Sequence, residues 1–307
     1  MNKPPRDLLS VALFILFWSL EIFVTKAAFL AGAKVLPFMV QSAIFALMFM
    51  GFWTVPREFK RLISLCTVDR ALLKQICIAN LIHYAIGSSL YCSGTALTSA
   101  INVAFLVTLC TPITCILAIF ILGESLSIRK AFVLCILLSG AYILTTNLQM
   151  LVPRLGDFLI LSAAFFWSLG NVLMRKTLRD SEVSGEVVSF LKPIIGLPLF
   201  ILLAQFSDYY PTAVSTIFAE PILQFNHLGY AAVAGIFAAL LWIFLYRSLK
   251  KVESAYVSML GMLTPVIVSI LAVIFLGEQL SPMQCVGSLM ILISGFATHW
   301  MSRKTSV

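Results

Sequence analysis

Ten apolar stretches, each about 20 residues long, follow one another along this chain with little between them. They fall at 8–31, 36–55, 72–93, 98–121, 131–149, 157–176, 187–206, 228–248, 254–276 and 283–301. Backbone polar groups in hydrocarbon must be satisfied within the segment or in a closed barrel, so a long apolar run that spans a membrane does so as a helix. The runs do not alternate in the way that strands of a membrane barrel do. With 61% hydrophobic and only 11% charged residues, a water-soluble fold of these 307 residues would expose large apolar patches. The expectation is therefore an all-α polytopic membrane protein of ten transmembrane helices, with no stretch left for a sizeable soluble domain.

The formal net charge is +8. The basic residues sit in loops beside apolar spans, so they speak for orientation in a bilayer rather than for nucleic-acid binding. With the N-terminus placed in the cytoplasm, Lys3, Arg6, Arg57, Lys60, Arg61, Arg70, Lys74, Arg129, Lys130, Arg175, Lys176, Arg179, Arg247, Lys250, Lys251, Arg303 and Lys304 all fall on the inside. Only Lys34 and Arg154 fall outside, and Lys26 and Lys192 lie within spans. Both termini are thus expected in the cytoplasm, in a plasma (inner) membrane. The first span resembles a signal peptide, but Glu21 and Lys26 interrupt it and its central motif recurs mid-chain, so no cleavage is expected. The seven cysteines read as small packing residues rather than disulfides or a metal site.

The two halves, 1–150 and 151–307, repeat one another in order. Phe17-Trp18-Ser19-Leu20 returns as Phe166-Trp167-Ser168-Leu169, and Ser99-Ala100 as Ser254-Ala255. Thr111-Pro112 returns as Thr264-Pro265, and Ser139-Gly140 as Ser294-Gly295. Leu122-Gly123-Glu124-Ser125-Leu126-Ser127 returns as Leu276-Gly277-Glu278-Gln279-Leu280-Ser281. Five matches at a nearly constant offset speak for a duplication. Each copy holds an odd number of spans, so the second is expected to enter the membrane upside down, an architecture common among secondary transporters.

These residues carry a resemblance. The Trp-Ser motif opening each half, the Thr-Pro in its fourth helix and the Leu-Gly-Glu-x-Leu-Ser that closes that helix resemble the EamA-type members of the drug/metabolite transporter superfamily, in two EamA-like copies. The resemblance implies a carrier of small molecules, with amino acids, other metabolites or drugs as the substrate classes and export the commoner direction. It also implies a central cavity lined by the first, third and fourth helices of each half.

Glu21, near the middle of the first span, is the sharpest single feature, because an ionisable group there is costly and marks function by default. It shares a helix face with Trp18, Thr25 and Ala28, and its expected role is proton coupling or cation binding, with a structural glutamate bonded to a neighbouring helix as the alternative. The position is similar to that of the membrane glutamate of small multidrug resistance proteins, although its counterpart in the second half is Gly170. In the third span Asn80, His83, Tyr84, Gly87 and Tyr91 form a polar and aromatic stripe suited either to a small-molecule cavity or to interhelical packing. Asn102 and Phe105, Trp167 and Asn171, Trp242 and Tyr246, and Tyr256 are further lining candidates. Pro112 and Pro265 are expected to break their helices and free backbone carbonyls. Glu124 and Glu278 read as structural, beside helix-ending glycines. Lys192 and Lys26 are expected to snorkel to the membrane surfaces.

An enzyme or a channel is the alternative. The three histidines lie in three different spans, and there is no His-x-x-x-His, Gly-x-Ser-x-Gly, nucleotide-binding loop or potassium-type filter sequence. No cofactor, metal or catalytic residue is expected. The expected partners are a small-molecule substrate, the lipid bilayer and protons, with the protein a monomer or a homodimer.

Overall fold

The computed structural model describes residues 8–205 and 225–305; the side chains at 92, 96, 100, 200, 203–205, 225 and 303–305 lie outside that description, as do Lys3 and Arg6. Helices account for every predicted span, and there is no strand among the described residues. They are α1 (Leu8–Leu30), α2 (Val35–Thr67), α3 (Arg70–Asn80), α4 (Gly87–Leu97), α5 (Ala100–Thr108), α6 (Cys110–Leu122), α7 (Ile128–Thr146), α8 (Leu155–Arg179), α9 (Gly185–Gln205), α10 (Leu228–Lys251), α11 (Ser254–Gly261), α12 (Thr264–Leu276) and α13 (Pro282–Thr305). A π-helical stretch, Leu81–Ile86, joins α3 to α4 as one span. Among the described residues 9 spans are long and apolar enough to cross a membrane, and α9 is a further helix of 21 residues. Large apolar side chains such as Phe52, Phe120, Phe275 and Phe296 stand exposed on the outer surface, as lipid-facing groups do. The chain is a multi-pass integral membrane protein.

Helix ends follow local chemistry. Gly123 and Gly277 both adopt φ 68°, the left-handed conformation that ends a helix, and the next amides, of Glu124 and Glu278, donate back to the carbonyls of Ala118 and Ala272. Ser127 then caps α7 by accepting from the Lys130 amide, and Ser281 accepts from the Gln284 amide. The repeated Leu-Gly-Glu-x-Leu-Ser sequence is thus a helix stop followed by a helix start. The fourth and ninth spans break beside Thr-Pro, at Leu109 between α5 and α6 and at Met262–Leu263 between α11 and α12. The second helix runs past the predicted 55 to Thr67, because Pro56 is accommodated by a kink with Glu58 at φ −121°.

Neighbours pair in a regular way. The first span packs on α10, and the third on α8; α2 packs on α10, and the third span on α9; α7 packs on α13, and α2 on α9. One end of the bundle gathers the basic loops. There Lys130 pairs with Glu253 at 2.8 Å, Arg247 pairs with Glu186, and the Lys250 amine donates to the Val183 carbonyl. At the opposite end the Asp157 carboxylate accepts from Thr98 and Asn102, and Gln284 donates to the Leu144 carbonyl. The six cysteines whose side chains are described are all unpaired, and no group of residues able to hold a metal occurs among the described residues.

Candidate functional site

The third span carries the densest polar cluster. Its π-helical stretch shifts the register at His83 and Tyr84, and such interruptions concentrate at functional sites. The predicted stripe therefore divides between two neighbours. His83 and Tyr91 face Trp167 of α8, with ring centroids at 6.5 and 5.1 Å, and Trp167 also lies over Gly87. Asn80 and Tyr84 turn instead toward α9 and α10. Asn80 donates to the Val188 carbonyl at 3.2 Å and accepts from the Tyr246 hydroxyl at 3.4 Å, while Tyr84 meets Trp242 edge-on at 5.1 Å. Two glycines allow these approaches. Gly196 lies against the Tyr84 ring and Gly170 against the His83 backbone, and a Cβ at either would overlap its neighbour.

Lys192 departs from the snorkelling expectation. It is 0% exposed, and its ammonium has no hydrogen-bond partner among the described residues. It lies 4.7 Å from the Trp242 ring, 5.2 Å from Tyr246 and 5.5 Å from Tyr84. Each such contact is worth about 0.5–2 kcal/mol. They offset only part of the penalty for taking an ion out of water. The reason for the departure is local: Gly196 lets α9 lie against Tyr84 of the third span, and the side chain meets the rings of Tyr84, Trp242 and Tyr246. Asn80 with Tyr84 and Trp242 with Tyr246 are both i, i+4 pairs, so each pair shares a helix face. That signal was available in the sequence, but the lysine between the pairs was not.

Glu21 is partly buried, and its carboxylate accepts from the Thr25 hydroxyl at 3.2 Å, its one partner among the described residues. Trp18 stacks on Phe14 at 5.4 Å and lies against Gly261, just before the break in the ninth span. The other candidates spread further. Asn102 joins Asp157 at the end opposite the basic loops, Phe105 meets Tyr142 of α7, and Tyr256 bonds His299 at 2.9 Å. Asn171 has its carbonyl oxygen buried without a partner among the described residues. The two helix breaks touch each other, with the Ser258 hydroxyl donating to that of Thr111 at 3.2 Å.

Two ion pairs that sequence reading missed occupy matching positions. Lys26 and Arg175 each lie eight residues after the Trp of their half. Arg175 pairs with Glu124 at 3.0 Å, and Lys26 with Glu278 at 2.6 Å. The first pair is 10% and 8% exposed, and Glu124 also accepts from the amides of Ser254 and Ala255 at the start of α11. The second is 39% and 43% exposed, and Glu278 has no further partner among the described residues. Glu124 thus does more than start a turn: it ties α6, α8 and α11 together at the basic end.

Residues 154–298 match the EamA-like transporter family. This is an EamA-like transporter domain of the drug/metabolite transporter superfamily. It includes α8, with Trp167 and Arg175, and α10, with Trp242 and Tyr246. The relatives that the chain resembles are named as transporters or efflux pumps. A protein of Salmonella typhimurium named a probable amino-acid metabolite efflux pump is 30% identical over 189 residues, covering 58% of this chain and 60% of its own. One of the same name from Escherichia coli K12 is 29% identical over 201 residues, covering 61% and 64%. An uncharacterized transporter of Methanothermobacter thermautotrophicus is 26% identical over 232 residues, covering 72% and 62%. The chain thus spans about three-fifths of the length of the curated relatives it matches. A protein of known crystal structure aligns over 99% of this chain and 100% of its own with a TM-score of 0.78 at 17% identity, a likeness of fold alone.

Proposed function

We propose that this EamA-like transporter is a secondary carrier that exports a small, amino-acid-like metabolite across the plasma membrane by alternating access between two inverted five-helix halves. The observation that carries the reading is the inequality of the two matched ion pairs. At the basic end, Arg175 and Glu124 are buried and hold the start of α11. At the other end, Lys26 and Glu278 meet half-exposed, and their side chains hold nothing else among the described residues. A molecule closed at one end and loose at the other is one of the two states that a repeat with an in-plane two-fold axis generates. Matched contacts support the inverted repeat: the first span on α10 answers the third span on α8, and α2 on α10 answers the third span on α9. Matched helix stops at Gly123 and Gly277 support it too.

The basic end is the cytoplasmic end in this reading, by the excess of Lys and Arg there. The efflux-pump names of the two bacterial relatives favour export and an amino-acid-derived cargo. Trp18, Glu21, His83, Tyr91, Trp167 and Asn171 are assigned to the substrate path, and Glu21 to proton coupling. The test is metabolite profiling of cells and medium with the wild type, with Glu21→Gln and with an empty vector. Accumulation of one compound class outside wild-type cells and not outside empty-vector cells supports the exporter, and unchanged pools in all three would overturn it.

A further inference from the structure

We infer that Lys192, within the rings of Tyr84, Trp242 and Tyr246, is the group that receives the carboxylate of the cargo. The inference rests on the exporter reading and adds a site and an acid requirement to it. The ammonium is fully enclosed, offers three N–H donors and has no acceptor among the described residues. No acid bonds it among the described residues. The third span and α10 contain no Asp or Glu, and the sole acid of α9, Glu186, is bonded to Arg247. The one acid of the adjoining α2 is Glu58, half-buried at the kink and not bonded to Lys192. The rings stabilise the positive charge through their faces but accept none of its hydrogen bonds. An ionisable side chain kept in a membrane interior without an internal partner marks a ligand path, and a carboxylate supplies both the missing charge and the missing acceptors.

Placement fits a cargo arriving from the cytoplasm. Tyr246 precedes Arg247, which closes on Glu186 at the basic end, so the cage lies on the side that the Arg175–Glu124 pair holds shut. The lysine is sealed in this state and becomes reachable when that end opens. Asn80, bonded to both the Val188 carbonyl and the Tyr246 hydroxyl, holds one ring of the cage in place and is a positioning residue.

The experiment uses the full chain in lipid nanodiscs, with the twenty L-amino acids and their methyl esters as probes and ligand-induced thermal stabilisation as readout. The wild type is expected to bind at least one acid at least tenfold more tightly than its ester. Lys192→Met is expected to bind acid and ester alike, and Lys192→Arg to keep the preference for the acid. Empty Lys192→Met is expected to melt above the empty wild type, because an unpaired buried charge is gone; a lower melting temperature would make the lysine a structural bond. Equal binding of acid and ester by the wild type, an acid preference that survives in Lys192→Met, or no acid bound at all would each overturn the site. Export of a compound by cells with no acid bound in nanodiscs would overturn this site and leave the exporter reading standing. Acids bound through Lys192 with no compound exported would do the reverse.

Discussion

Arg175 donates its Nε–H to Glu124 at 3.0 Å while the same carboxylate accepts from the amides that begin α11, so a single side chain joins three helices. A second nitrogen of Arg175 reaches the Leu249 carbonyl at the end of α10. Removing one partner of a buried pair leaves the other charge uncompensated, a loss of about 3–5 kcal/mol, whereas a half-exposed pair contributes about 0–1 kcal/mol. Arg175→Met is therefore expected to lower the melting temperature in nanodiscs by many degrees and Lys26→Met by few. Ser254, buried beside Glu124, reports on the opening of this end. In a protein whose other cysteines are serine, Ser254→Cys should react with maleimide slowly, and much faster once Arg175→Met is added. Equal reactivity would mean that the pair does not hold the basic end shut.

The glycines that stop α6 and α12 share one backbone conformation, φ 68° with ψ 21° and 19°. A Cβ in the left-handed region costs roughly 1–2 kcal/mol, and there is open space around both glycines, so no packing clash adds to it. Gly123→Ala and Gly277→Ala are expected to destabilise by similar amounts, about 1 kcal/mol each, in thermal unfolding. A large inequality would show that the two stops are not equivalent.

What the sequence makes legible is what depends on local chemistry or on period. Apolar length gives the spans, Gly-Glu gives the stops, and Thr-Pro gives the breaks at Leu109 and Met262–Leu263. What stays hidden depends on which faces meet. That the Asn102 amide bonds Asp157, 55 positions away, cannot be read from its place in the fourth span. Lys192 lies close enough to the end of α9 to snorkel, and only the approach of Trp242 and Tyr246 traps it. The π-helical stretch at Leu81–Ile86 has no sequence signature, yet it decides that His83 and Tyr84 serve different neighbours.

Close approach at Gly196 is required by Tyr84, whose ring occupies the space of a Cβ. Gly196→Ala is expected to cost about 1–3 kcal/mol, as overpacking of a filled interior does. Because the same ring faces Lys192, this variant should also weaken acid binding, which separates it from a purely structural defect elsewhere. Gly229→Ala, at a position with open space around it, is the control expected to change neither property.

Among the described residues the Thr25 hydroxyl is the one hydrogen-bond partner of the Glu21 carboxylate; Ser19 bonds its own helix at the Ile15 carbonyl, and Lys26 pairs with Glu278. The proposed coupling requires this carboxylate to exchange a proton between the two states of a carrier, and an ionisable group within a membrane helix is the type of residue that does so. In proteoliposomes loaded with the exported compound, an imposed pH difference should drive efflux by the wild type. Glu21→Gln keeps the shape and the hydrogen bond to Thr25 but has no proton to exchange, so its efflux should run only down the substrate gradient, at a rate independent of the pH difference. Thr25→Val, which removes the one bond to the carboxylate, should retain the response with a shifted pH dependence. A Glu21→Gln protein that still responds to the imposed difference would place coupling at another group and leave Glu21 with a packing role.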